Sequence, residues 1–138
     1  MSQQSGSDAI AALDEGQRAE ALEISERLNS EIRRGALVLS VLGQLRTEHY
    51  GYSLRKTLLE KGLDVEEGTL YPLIRRLEKQ GLLNSEWRED NNRRKRFYQL
   101  SDVGRGVYQQ LLSNWHELSQ SVDALTASLQ SIEGKENT

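Results

Sequence analysis

The stretch that decides the fold is Gly68-Thr69-Leu70-Tyr71-Pro72-Leu73-Ile74-Arg75-Arg76-Leu77-Glu78-Lys79-Gln80-Gly81. Leu70, Leu73, Ile74 and Leu77 fall at i, i+3, i+4 and i+7, the spacing of one helix face. Arg75, Arg76 and Lys79 fall on the opposite face. Thr69 is the expected N-cap, which places Pro72, the chain's single proline, in the first turn, where its missing N–H costs little. Gly81 is the expected stop. The result is a helix with one side to anchor it in a core and a cationic side left for water or a partner.

Moving toward the N-terminus, Ser53–Lys61 reads as a short helix with Leu54, Leu58 and Leu59 inward, stopped by Gly62. The sequence His49-Tyr50-Gly51-Tyr52-Ser53 breaks the periodicity. Ile32–Leu45 is apolar almost all round, which predicts a buried central helix. Asp8–Asn29 carries a thin apolar stripe of Ile10, Leu13, Ile24 and Leu28, with an interruption expected at Gly16. Met1–Ser7 is polar and glycine-containing and is expected to be disordered.

Toward the C-terminus, Leu82–Arg88 and Arg93–Leu100 read as strands, and Glu89-Asp90-Asn91-Asn92 joins them as a turn whose Asx residues suit left-handed backbone. Trp87 is expected to pack on Phe97 or Tyr98. Ser101 is the expected N-cap of a last helix with Gly104 in its first turn. Val107, Leu111, Trp115, Leu118, Val122, Leu125 and Leu129 follow in steps of three and four, and residues 131–138 are expected to be a disordered tail. The fold class is therefore mainly α with a small two-stranded β-hairpin, a winged helix-turn-helix followed by a long C-terminal helix. The expected boundaries are 8–29 for an N-terminal helix, 30–100 for the winged helix and 101–130 for the last helix.

Composition narrows the function. With 138 residues and no cysteine, one domain is expected, without disulfides or thiolate metal sites. No apolar run approaches the ~18 residues of a membrane span. The first residues lack the basic-then-apolar order of a secretory signal, so a cytoplasmic location is expected. The net charge of −3 conceals an asymmetry: residues 31–100 hold 14 Lys/Arg against 10 Asp/Glu, whereas the flanks hold 4 against 11. A basic centre between acidic ends suits a domain that touches phosphate. There is no glycine-rich phosphate loop and no Ser-His-Asp set, so neither an enzyme nor a cofactor is expected. His49 and His116 lack partners at ligand spacing, so no metal site is expected.

Two helices joined by a short link, the second basic on its outer face, fit a helix-turn-helix, and the DNA major groove admits one such helix. Thr69 and Tyr71 lie at the end that reaches base edges in this motif, and Arg75, Arg76 and Lys79 lie where phosphates would be met. Arg93-Arg94-Lys95-Arg96, just after the hairpin turn, would meet the sugar–phosphate backbone or a minor groove. The plainer readings are a solvated charged face and an edge strand protected by charge. A winged helix used only for protein–protein contact is the alternative kept open by the acidic flanks.

Gly68-Thr69-Leu70-Tyr71-Pro72, then Arg76-Leu77-Glu78 and Gly81-Leu82-Leu83, together with Arg93-Arg94, Tyr98-Gln99-Leu100-Ser101 and Gly51-Tyr52, resemble the signature of PadR-type winged-helix regulators over roughly residues 31–129. The resemblance implies a homodimeric repressor released from a pseudo-palindromic operator by a small, aromatic effector. It implies DNA contacts from Tyr52, Thr69, Tyr71, Arg75 and Arg76, and from Arg93, Arg94 and Arg96 on the wing. It also implies that Trp115 lines an effector pocket, against which stands simple core packing. The acids Glu66-Glu67 before Gly68 depart from the family pattern. The last helix carries an apolar stripe too long for one small domain to cover. Val107, Leu111, Leu118, Val122, Leu125 and Leu129 are thus expected to pair with a second copy, with the N-terminal helix in support.

Overall fold

A computed structural model describes the backbone of residues 5–136 and the side chains of 8–127. Its elements are α1 (Ser5–Ala11), α2 (Glu15–Gln44), β1 (His49–Tyr50), α3 (Gly51–Glu60), α4 (Glu67–Lys79), β2 (Leu83–Asp90), β3 (Arg93–Leu100) and α5 (Asp102–Glu136). The chain forms two compact units, residues 1–38 and 39–138, and α2 runs through the boundary.

In the first unit, the expected break at Gly16 lies instead at residues 12–14. Asp14 starts α2: its Oδ1 accepts from the Gln17 N–H at 2.8 Å, and the Gln17 Oε1 accepts from the Asp14 N–H at 3.4 Å. This reciprocal cap places Gly16 inside the first turn, where it interrupts nothing. From there α2 continues without a break, so the two helices expected over 8–29 and 32–45 are largely one. Ile32 is exposed, and burial on α2 begins at Leu37. α1 begins at Ser5, inside the stretch expected to be disordered; Met1–Gln4 lie outside the described residues.

The second unit holds the main core. Val41 and Leu42 from the end of α2, Leu45 just after it, Leu54 and Leu58 from α3, and Leu70, Leu73, Ile74 and Leu77 from α4 are buried together with Val65, Leu83, Leu100 and Tyr108. Every position in the helical template of α4 is inside. Burying side chains of this size contributes roughly 1.5–3 kcal/mol each. Both α3 and α4 end in the same way. At each end a glycine with positive φ follows the cap residue, Gly62 at 93° and Gly81 at 82°. The next amide reaches back, Leu63 N to Leu58 O at 2.8 Å and Leu82 N to Leu77 O at 3.0 Å. This is the Schellman stop, which favours glycine because only it enters the left-handed region without strain.

α4 begins three residues earlier than a Thr69 cap predicts. Glu66 is the extended N-cap residue, and Thr69 is the third helical residue. Val65, just before the cap, and Leu70, the fourth helical residue, are both buried. They occupy the positions of a hydrophobic staple, which fixes the entry of the chain at Glu66. Pro72 therefore stands in the second turn and leaves the Gly68 carbonyl without its helical partner.

The sheet has three strands in the order β1-β3-β2, all antiparallel, rather than the two expected. The added strand is short: His49 pairs with Tyr98 and Tyr50 with Phe97. Two residues carry no periodicity, so only the pairing reveals it. β2 and β3 form the expected hairpin, with Asp90 opposite Arg93. Its two-residue turn is Asn91-Asn92 at φ 53° and 63°, the left-handed pair that matches the twist of antiparallel strands.

Ser101 caps α5, its Oγ accepting from the Gly104 N–H at 3.0 Å and donating to the Gly81 carbonyl at 2.6 Å. α5 extends to Glu136, past the expected end near Leu129 and through most of the expected tail; residues 137 and 138 lie outside the described residues. Its 35 residues span roughly 50 Å. The core is thus a winged helix-turn-helix: α3 and α4 form the helix pair, and β2 and β3 form the wing.

Candidate nucleic-acid interface

α4 anchors its leucines inward and leaves Thr69, Arg75, Arg76 and Lys79 exposed. Tyr71 is half-buried against α3. A Cβ on Gly51 would come within 2.9 Å of the Tyr71 ring, so glycine at the start of α3 makes room for that ring. Burial, then the charge of Glu67, push the Tyr71 phenol upward against the opposing pull of Arg55. Tyr71 is therefore a neutral hydrogen-bond donor at physiological pH. Arg55 holds the helix pair in register by donating from Nε to the Val65 carbonyl, at 2.8 Å. Tyr52 is exposed on the first turn of α3 and stacks with Tyr50, ring centroids 6.3 Å apart.

The run Arg93-Arg94-Lys95-Arg96 does not form one patch. Strand alternation sends Arg94 and Arg96 to one sheet face and Arg93 and Lys95 to the other. On the first face, Arg96 binds Glu78 of α4 through both carboxylate oxygens, at 3.0 and 2.9 Å, and its Nε donates to Ser85 Oγ at 3.0 Å. Ser85 in turn donates to Glu78. On the other face, Lys95 pairs with Asp90 at 3.2 Å and lies 4.2 Å from the Tyr50 ring centroid. Arg88 lies over Phe97, 3.9 Å from its centroid, and pairs with Glu48 and Glu86. Arg93 and Arg94 carry no acidic partner among the described residues.

These contacts sort the sequence-predicted cations by their availability. Arg75, Arg76, Lys79, Arg93 and Arg94 are open to a partner, whereas Lys95 and Arg96 hold the wing together. Glu78 stands in the signature quoted above but with no role assigned to it, and it ties the wing to α4. Partial burial pushes its carboxyl up, but hydrogen bonds from Ser85 and Arg96 and the charge of Arg96 outweigh this and hold it below the ordinary range. A depressed carboxyl stabilises the fold above its unfolded value, and that contribution is lost as pH falls through the depressed one. Glu78→Gln is therefore expected to melt about 3 °C lower than the parent at pH 7, with a smaller difference at an acid pH below the ordinary carboxylate range. Equal melting at both pH values in thermal denaturation would remove the clamp from the stability of the wing.

Trp87 is not packed on Phe97 or Tyr98 as expected. Phe97 lies on the opposite face, and the indole sits instead beside Arg94 and Arg96, 5.3 and 5.6 Å from their guanidinium carbons. His49 Nδ1 meets Ser53 Oγ at 3.1 Å, and burial lowers its pKa; His116 is exposed. On α5, Val107 and Leu111 are half-buried, while Leu118, Val122 and Leu125 are exposed. Trp115 is 39% exposed, so the chain's own core does not cover it. The side chain of Leu129 lies outside the described residues.

Among the described residues no helix is long and apolar enough to cross a membrane. Residues 38–110 match the model of the PadR-like family of transcriptional regulators. The transcriptional regulator Rv3488 of Mycobacterium tuberculosis is 36% identical over 93 residues, covering 67% of this chain and 87% of that protein. A PadR family transcriptional regulator from Eggerthella lenta has a crystal structure that matches with a TM-score of 0.71 at 42% identity, covering 78% of this chain and 96% of the other. A transcriptional regulator from Streptococcus matches with a TM-score of 0.64 at 31% identity, covering 69% and 96%. The matched family and these relatives are regulators of transcription, not enzymes. The match takes in the helix pair, the wing and the start of α5, and the chain belongs to the PadR-like family of transcriptional regulators.

Proposed function

We propose that this chain is a sequence-specific DNA-binding repressor that acts in the cytoplasm as a homodimer on a pseudo-palindromic operator. The observation that carries the reading is the grouping of unpaired cations: Arg75, Arg76 and Lys79 on the outer face of α4, and Arg94 on the wing face that turns toward the same helix through the Arg96–Glu78 clamp. Tyr71 and Thr69 at the N-terminal part of α4 are the base-reading residues of this reading. Tyr52, Arg75, Arg76, Lys79, Arg93 and Arg94 meet the backbone, while Lys95 and Arg96 add charge without leaving their acidic partners. The exposed residues of α5 pair with a second copy, with the N-terminal helices in support. The open Trp115 indole then offers a stacking surface for an aromatic effector that loosens DNA binding.

The test is salt dependence together with selection. Each neutralised phosphate contributes about −0.9 to the slope of log affinity against log salt. Arg93→Ala/Arg94→Ala removes two arginines from each protomer of the dimer and is expected to make that slope shallower by about 3.6 units, measured by fluorescence anisotropy on the sequence enriched from a random DNA pool. An unchanged slope would take these arginines out of the interface. A pool that yields no enriched sequence would instead favour a protein partner.

A further inference from the structure

We infer that the Trp87 indole is a DNA-backbone contact, packing on a deoxyribose and donating its Nε1–H to a phosphate of the strand that lies along the cleft between α4 and the wing. This deepens the DNA-binding reading above and rests on it.

Trp87 sits in the middle of β2, opposite Arg96 and on the sheet face shared with Ser85, Arg94 and Tyr98. That face turns toward α4, because Arg96 and Ser85 both bind Glu78 there. Yet Trp87 is 52% exposed. It fills no core, and its Nε1–H meets no protein acceptor among the described residues, which leaves that donor open to water or a partner. Two guanidiniums flank the ring. The charge of Arg96 is taken up by Glu78, but that of Arg94 is not, so the indole holds one uncompensated cation beside the cleft.

The cleft itself has a volume of about 250 Å³, and Tyr71, Arg75, Trp87, Arg96 and Tyr98 are among its lining residues. Both aromatic rings and cations line it, and no carboxylate does. A DNA strand has the matching composition, an apolar sugar next to an anionic phosphate at each step. Contacts to sugar and phosphate position a protein without reading sequence. Trp87 is thus assigned to affinity, in contrast to Tyr71, which is assigned to base recognition.

The chain has two tryptophans, so Trp115→Phe leaves Trp87 as the sole indole emitter. This variant is titrated at low salt with a mixed-sequence duplex of about three helical turns, with emission and electrophoretic mobility read on the same samples. Quenching of Trp87 in step with the mobility shift is the expected result. A shift without any change in emission overturns the Trp87 assignment and leaves DNA binding standing. No shift at all overturns both. Quenching by benzoate in place of DNA overturns the assignment and gives the cleft to a small anion. In a second measurement, Trp87→Phe, which keeps an aromatic ring and loses the N–H, is expected to weaken mixed-sequence and enriched DNA by the same factor, about fivefold. Loss confined to one sequence, or no loss, overturns the proposal.

Discussion

Gly104→Ala is expected to lower the melting temperature by about 10 °C, a loss of about 3 kcal/mol. A Cβ at this position would stand 2.0 Å from the Leu82 carbonyl oxygen and 3.2 Å from Leu100 Cδ2. The obstacle is backbone, and it cannot swing aside. The Leu82 carbonyl accepts from the Ser101 N–H at 2.9 Å, and the Leu82 N–H closes the stop of α4 at 3.0 Å. Relief would mean breaking the α4 stop or lifting α5 from its seat. Gly106, two residues along the same helix, has open space where a methyl group would stand, with no neighbour within 4 Å, and serves as the control. Gly106→Ala is expected to raise stability slightly, since alanine is about 0.5–1 kcal/mol better than glycine inside a helix. Thermal unfolding followed by circular dichroism checks both, and a Gly104→Ala protein that melts with the parent would refute the close approach.

The second large effect is on assembly. Leu118 is 63% and Leu125 67% exposed, on the same stripe of α5 as Val122. Under the dimer proposal a partner copy covers them. Leu118→Glu/Leu125→Glu is then expected to yield a monomer of unchanged helicity, because neither side chain supports the core of its own chain. Operator affinity is expected to fall by about 100-fold, because two linked half-site contacts become two separate ones. Sedimentation and anisotropy on the same preparations check the two consequences. A double variant that stays dimeric places the interface elsewhere.

The fold is legible where burial follows a period. All four template leucine and isoleucine positions of α4 are inside, and the turn lies within the expected 89–92 stretch, although only Asn91-Asn92 form it and Glu89 and Asp90 extend β2. Ser101 caps α5 as its hydroxyl and position suggest. The extent of α2 escapes the sequence because Gly16 is a more conspicuous breaker than the Asp14–Gln17 cap that carries the chain past it. β1 is invisible because two residues have no pattern. At the interface, the four adjacent cations are legible as charge but not as arrangement. Their division between faces follows from strand alternation, but their pairing with Glu78, 18 residues away, and with Asp90 depends on which element each face meets. The same long-range packing decides the exposure of Trp87, which local pairing rules assign to an aromatic neighbour.

The junction at Gly81, Leu82, Ser101 and Gly104 has one more consequence. Ser101 grips the carbonyl at the end of α4 through its hydroxyl and the next carbonyl through its amide, while Gly104 presses its bare Cα side onto the same peptide. The first turn of α5 and the last turn of α4 are thereby hinged at a single point with almost no slack. A tilt of the long C-terminal rod about that junction would therefore pull on the tail of α4, the helix on which Arg75 and Arg76 are mounted.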